Sequence, residues 1–367
     1  MALATRLAPA PGRGSTLGHV TPHTRLTALL LAGAVLGGCG GGDPAPRGPV
    51  LHVSPAGSDS APCTAAQPCR TLRRAFGQAR PGAEIRLGAG RYPDQLVQGR
   101  GGTRSAPVVI RPDRGARVRV GVLDLRAHGL EIQGLHLAGW HALEGSGELT
   151  FRDVHTGWFF VDSVSRLRIL GGTVGPADSV DSQIRAAGPA SPAPRHVLID
   201  GVTFRDFTAR RDPSQHVECL QFGAGEHVVV RRSRFFNCAT HSIFINAWGG
   251  ARIRDFTFED NRFGRVPDGY YSLRVGRGDP GSTSDIKVRN NSATVTMQVD
   301  DGIPGVSFVG NLAPRSPWEC FSDQSYAGNV WSDTRCGTTD RQAGEGAVAQ
   351  AAADPSRRPG AAALPAG

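Results

Sequence analysis

Between positions 178 and 298 the chain gathers side chains that can move protons and bind anions. Asp178, Asp181, His216, Glu218, His241, Tyr270 and Tyr271 supply acids, bases and phenols. Arg185 and Arg274 add fixed positive charge, and Gln221, Phe244, Trp248 and Gln298 add polar and aromatic surface. Guanidinium groups clamp carboxylates through paired hydrogen bonds, so arginines beside histidines suit an acidic polysaccharide. Tyr271 and Trp248 could stack on sugar faces, and Arg185, Gln221, Phe244 and Gln298 could contact the chain. Elimination from a uronate needs its carboxylate neutralised, a base at C5 and an acid at the leaving oxygen. His241, His216 or Arg274 could be the base and Tyr271 the acid, with Glu218 beside them. Asp178, Asp181 and Glu218 offer oxygens to a calcium ion, although no complete ligand set is visible. Plainer roles compete: histidines as polar corner residues, Glu218 paired with Arg185 or Arg210, and arginines simply solvated. No Gly-rich phosphate loop, G-x-S-x-G or H-E-x-x-H motif is present.

These residues need a scaffold, and a repeat supplies one. It reads Ile132-Gln-Gly134-Leu-His-Leu137, then Phe151-Arg-Asp153, Ile169-Leu-Gly171, Ile199-Asp-Gly201, Val230-Arg-Arg232, Phe258-Glu-Asp260, Val288-Arg-Asn290 and Phe308-Val-Gly310. Alternating apolar residues lead into each unit, which means a strand. Gly, Asp and Asn then mark a turn, because they tolerate left-handed backbone angles. A sandwich or propeller also has many short strands. Here the spacing fits one solenoid coil, Asn261, Asn291 and Asn311 share one repeat position, and no two-residue hairpin signal separates the strands. The expected fold is all-β, a single-stranded right-handed parallel β-helix in which each coil bonds to the next about 4.8 Å away. Residues 70–79 carry Leu72, Ala75, Phe76 and Ala79 at helical spacing behind a capping Thr71, which predicts a short helix over the first coil.

The units are spaced by 19, 18, 30, 31, 28, 30 and 20 residues. Four consecutive coils therefore carry about ten extra residues each, and insertions on a rigid scaffold are where binding groups gather. A second strand aligns within them: Gln183-Ile-Arg185, Cys219-Leu-Gln221, Ser242-Ile-Phe244, Ser272-Leu-Arg274 and Thr296-Met-Gln298. Period-two alternation points Arg185, Gln221, Phe244, Arg274 and Gln298 outward as one expected column.

The ends of the chain read differently. Residues 26–36 form an apolar run too short to span a bilayer comfortably, followed by Leu36-Gly-Gly-Cys39, and 40–49 are Gly- and Pro-rich. The expectation is a lipoprotein signal over 1–38, lipidation at Cys39 and a flexible tether over 39–49. The protein would then be exported and held at the cell envelope or outer surface by its lipid alone. Six further cysteines fall into near pairs, Cys63 with Cys69, Cys219 with Cys238 and Cys320 with Cys336. Disulfides are the default in an oxidising compartment, although fifteen connectivities exist and proximity alone favours this one. Residues 337–367 are rich in Ala, Gly and Pro, and disorder is expected there.

Composition narrows the classes further. With 49 Gly and 26 Pro in 367 residues, long helices and coiled coils are excluded. The net charge of +9 rests almost wholly on arginine, since Lys287 is the only lysine. Arg6, Arg13 and Arg25 lie in the leader, leaving about +6 for the rest. The arginines are scattered and form no stripe interleaved with aromatics, which argues against a nucleic-acid partner.

The stretch His52-Val-Ser-Pro-Ala-Gly-Ser-Asp59, Pro68-Cys-Arg-Thr71, Arg80-Pro-Gly82 and Ile85-Arg-Leu-Gly-Ala-Gly-Arg-Tyr92 resembles the opening of exported right-handed β-helix proteins of the pectate-lyase-like group. With the repeats, the resemblance spans roughly 50–335, and the β-helix domain is set at 50–336. It implies the fold and leaves the activity open. In β-helix lyases an Arg or Lys commonly acts as base and acidic residues often bind calcium. Lys287 lies away from the insertions, so that role would fall to His241, His216 or Arg274. Polygalacturonase-type hydrolases carry an Asp pair followed by Gly-His-Gly. Asp300-Asp301 is present but no Gly-His-Gly follows, which speaks against hydrolysis. Two readings stay open: a polysaccharide lyase acting by β-elimination, and a non-catalytic glycan-binding or structural surface protein. Either is expected to be a monomer.

Overall fold

The computed structural model describes residues 48–361, apart from 248, 270 and 355. The leader, Cys39, all but the end of the 39–49 tether, Trp248 and Tyr270 lie outside the described residues. The described chain winds through parallel strands that stack into three faces. On the first face the register pairs Ile132 with Phe151, and then Ile169, Ile199, Val230, Phe258, Val288 and Phe308 in turn. These are the positions that the sequence spacing aligned. The column continues to Tyr326, one coil further than that spacing suggests.

The turn after each unit is left-handed. Gly134, Asp153, Gly171, Gly201, Arg232, Asp260, Asn290, Gly310 and Gly328 all have φ between 50 and 69°. Most are Gly, Asp or Asn, the types that bear this conformation at least cost. Directly behind the turn runs a buried asparagine ladder. The Asn261 side-chain oxygen accepts from the Ser233 amide, and its nitrogen donates to Val230 O and to Asn291 Oδ1. Asn291, Asn311 and Asn329 repeat this scheme, which ends on the Asp340 carboxylate. Each rung thereby satisfies backbone groups that would otherwise be buried without partners.

The chain then passes to a second face, which includes Thr203–Thr208, Arg234–Cys238 and Arg262–Phe263. The third face carries Phe159–Asp162, Gln183–Arg185, Glu218–Phe222, His241–Ile245, Tyr271–Val275 and Thr296–Val299. Inward residues of the three faces fill one core. Phe204, Phe235 and Phe263 stack at 4.7 and 5.2 Å, and Trp140 lies on Phe151 and Phe159. Such columns follow from stacking coils in register, and they bury large aromatics without voids.

Leu72–Gln78 is helical, with the Thr71 hydroxyl accepting from the Arg74 amide and Leu72, Ala75 and Phe76 buried. At the other end, the disorder expected over 337–367 is corrected by a strand at Arg341–Gln342 and a helix at Glu345–Ala353. Composition misleads there because Ala is also the best helix former. Val348, Ala351 and Ala352 pack on Leu312 and Val330 of the last coils, burying apolar surface that the open solenoid end would expose. All three proximity-based disulfides are present: Cys63–Cys69, Cys219–Cys238 and Cys320–Cys336.

Candidate functional site

The third face is the floor of the candidate site, and the insertions flank it. Residues 209–217 and 264–269 lead into its strands, while 186–194, 246–252 and 276–282 lead out. A groove of about 1150 Å³ runs beside His216 and is lined in part by Asp178, Arg210, Arg211, Thr240 and Asp268. A second, of about 700 Å³, lies on the other side against Gln183, Arg185, Gln221 and Arg252.

Strand register brings Glu218, His241 and Tyr271 side by side on successive coils. Glu218 is buried, and its Oε1 lies 3.1 Å from His241 Nδ1. If that nitrogen carries the proton, Nε2 is the basic one. The His241 ring stacks between its neighbours: Tyr271 at 5.7 Å and Phe244 at 5.2 Å. The Arg274 guanidinium sits 5.4 Å above the Tyr271 ring, a cation–π arrangement, and Nη1 meets Asp300 at 2.6 Å. Burial holds the Tyr271 phenol above its usual range; Arg274 opposes this and Asp300 adds to it. Burial also pushes the Asp181 carboxyl up to about 6, the Gln183 amide opposing and the Glu218 carboxylate reinforcing the rise. The Cys219–Cys238 bridge ties the strand that carries Glu218 to the second-face strand that follows it in the chain, Arg234–Cys238.

Gln221, Phe244, Arg274 and Gln298 do share one column. Arg185 does not. Gln183 pairs with Gln221, so Arg185 lies two residues along the strand and binds Asp162 at 2.9 Å, its guanidinium over Phe160. A slip of two keeps the same side chains outward, so alternation alone cannot detect it. Gln298 is corrected as well. It is buried, its Nε2 donating to Val299 O and its Oε1 accepting from the Trp318 amide at 2.7 Å, so it anchors a loop and offers nothing to a ligand. Asp178 is already engaged by the Thr208 hydroxyl, the Arg210 amide and Arg211, and it does not join the His–Glu cluster. Lys287 is on the first face, held 2.7 Å from Asp255.

Two contributors escape a reading built on the insertions. Trp318 is 65% exposed and tilts against Tyr271 with ring centroids 5.5 Å apart. It lies in a loop outside the four long coils, and its only sequence signal is an aromatic between Pro317 and Cys320. Asp300 belongs to the Asp300-Asp301 pair and here fixes Arg274. The third-face column also extends upstream through Phe160, His141 and Asp124, where His141, Trp158 and Phe160 form a second aromatic cluster. Among the described residues, one group of three metal-ligating side chains stands out. His216, Glu218 and His241 have donor atoms within 4.8 Å of one another.

This arrangement, a coiled parallel scaffold with polar chemistry on one face, defines the class: the chain has the right-handed parallel β-helix fold of the pectate-lyase-like group. No protein-family model and no curated protein sequence matches it. Solved structures do match. The A-module of the mannuronan C-5 epimerase AlgE6 of Azotobacter vinelandii aligns at 13% identity and TM-score 0.50, covering 78% of this chain and 89% of that one. An alginate lyase from Paenibacillus sp. str. FPU-7 aligns at 16% identity and TM-score 0.49, covering 80% and 98%. A rhamnogalacturonan lyase aligns at 13% and 0.47, covering 81% and 87%. At these identities the likeness establishes fold alone.

Proposed function

We propose that this chain is an envelope-anchored, monomeric β-helix enzyme that cleaves an acidic polysaccharide by β-elimination. The observation that carries this is the convergence of Arg274, Tyr271 and the Glu218–His241 pair on one strip of the third face beside the exposed Trp318. A uronate residue stacked on Trp318 and Tyr271 would place its carboxylate near Arg274. His241, oriented by Glu218, would take the C5 proton. The freed electron pair forms the C4–C5 double bond, the C4–O bond breaks, and Tyr271 protonates the departing oxygen. The mannuronan C-5 epimerase among the fold neighbours agrees with a uronate-containing substrate. Anchoring would come through Cys39.

One observation favours the non-catalytic alternative. Asp300 already neutralises Arg274, whose Nη1 also donates to Val275 O at 2.9 Å. A binding protein needs no free cation, whereas a lyase must have the substrate carboxylate share or displace Asp300. The test is incubation of the purified protein with a panel of uronic-acid polymers, with and without calcium, following the ultraviolet absorbance of unsaturated products. We expect product from at least one polymer, and a loss of about 100-fold in Arg274→Ala. Retained binding with no product from any polymer moves the protein to the non-catalytic class.

A further inference from the structure

We propose that His216, Glu218 and His241 form a binding site for a single divalent transition-metal ion of the zinc type. The inference stands on the donor atoms and not on the elimination reading.

The donor set is two imidazoles and one carboxylate, with all ligand atoms within 4.8 Å of one another. Zinc holds such ligands at about 2.0–2.2 Å, which puts tetrahedral donors roughly 3.4 Å apart. Glu218 and His241 already stand at 3.1 Å, on paired strands that lock their spacing. Only His216 has to close up, and it is exposed, two residues before Glu218 at the end of the 209–217 loop. Two donors on paired strands and one exposed donor at the end of the adjoining loop make a site that can load an ion without remodelling the scaffold.

The surroundings favour the same ion. The Phe244 and Tyr271 rings flank the His241 ring and fix its plane. Cys219 is consumed by its disulfide and offers no thiolate. Calcium prefers six to eight oxygens, and here it would find only the Glu218 and Asp181 carboxylates. Two imidazoles with a carboxylate instead suit zinc, nickel or copper. Three protein ligands leave a fourth position, and the 1150 Å³ groove beside His216 gives it access to solvent or to a carboxylate-bearing ligand. Because the ion would engage the carboxylate and imidazole that now bond to each other, the loaded and unloaded forms are alternatives. In the elimination reading, loading therefore removes the base.

The experiment is equilibrium dialysis of the chelator-stripped full protein against zinc chloride, with bound metal counted and a calcium arm in parallel. Wild type is expected to hold close to one equivalent of zinc and no calcium at the same concentration. His216→Ala should weaken zinc binding at least tenfold with unchanged thermal unfolding of the metal-free protein, since His216 is exposed. Glu218→Gln should lose it too, and Tyr271→Phe should keep it. Absence of stoichiometric zinc in wild type, or equal uptake by His216→Ala, overturns the site. Polymer cleavage assayed on the same samples separates the two ideas: zinc uptake without turnover in either form removes the elimination reading and leaves the metal site, while turnover without zinc uptake does the reverse.

Discussion

The asparagine corner and the groove face belong to one continuous stack of coils, yet they are built on opposite principles. At the corner one residue type repeats, Asn261, Asn291, Asn311 and Asn329, each fully buried and each bonded to the next. On the groove face the types are mixed. Glu218, His241 and Tyr271 share one column of register positions and Gln183, Gln221, Phe244 and Arg274 another, and all of them except the buried Glu218 are partly open to solvent. Repetition serves the scaffold because every coil must solve the same backbone problem at the same turn. Variation serves the site because a ligand presents different groups along its length. The difference teaches where to look on a solenoid: the positions that break the repeat on an otherwise regular face.

The contrast predicts opposite consequences for single substitutions. Asn291→Ala deletes the acceptor of the Asn261 amide and the donors to Phe258 O and Asn311 Oδ1, leaving buried groups unpaired. The expected cost is about 3–5 kcal/mol, read from the denaturant midpoint. Trp318→Ala, at an exposed loop residue resting against Tyr271, should stay within about 0.5 kcal/mol. Comparable losses at the two places would dissolve the distinction between scaffold and site. The Cys219–Cys238 bridge joins the groove face to the second face, and its removal should cost about 2–4 kcal/mol and loosen the strand that presents Glu218.

The same contrast explains what the sequence makes legible. The first-face register is readable from Ile132 to Phe308 because a long period, a turn residue and an apolar column coincide in those units. The Asn ladder was readable because its residues are identical. The third face was readable only in part. Alternation told which residues face out, and it placed Gln221, Phe244 and Arg274 together, but it could not tell Arg185 from Gln183. Burial of Gln298 beneath Trp318 depends on how the 314–324 loop folds back, and no periodicity encodes that. The His216–Glu218–His241 meeting was half legible: nearness in number joined the first two, and the coil period joined the third. The tail was misread because alanine-rich composition is shared by helices and by disordered chain.

A smaller effect separates the two arginines that alternation had grouped together. Arg274 stands over Tyr271 next to His241, whereas Arg185 is committed to Asp162 and Phe160 two residues further along its strand. Affinity for a uronate polymer, measured by titration calorimetry at low salt, should fall about 10- to 30-fold in Arg274→Ala. It should fall less than threefold in Arg185→Ala. A larger loss at Arg185 would move the ligand track towards the 186–194 loop and the 700 Å³ groove.

The smallest effect concerns how the scaffold answers to acid. Asp200 lies at the turn of a first-face strand. Burial pushes its carboxyl up, but the Arg232 and Arg231 guanidiniums outweigh this and hold it below the usual carboxylate range. Because the folded value is below the unfolded one, this carboxylate adds stability at pH values above the unfolded value. That contribution fades as the pH falls through the folded value. Both arginines are well exposed, so the term should be about 1 kcal/mol or less. Asp200→Asn should therefore unfold slightly more easily than wild type at neutral pH, with the gap closing as the pH falls below the usual carboxylate range. The denaturant midpoint followed across that range reads it directly. Arg274→Ala should run parallel to wild type over the same range, since the groove face contributes recognition and not framework. A gap that widens on acidification would mean that Asp200 is not held as a carboxylate by its arginines, and that this corner of the scaffold is stabilised by packing alone.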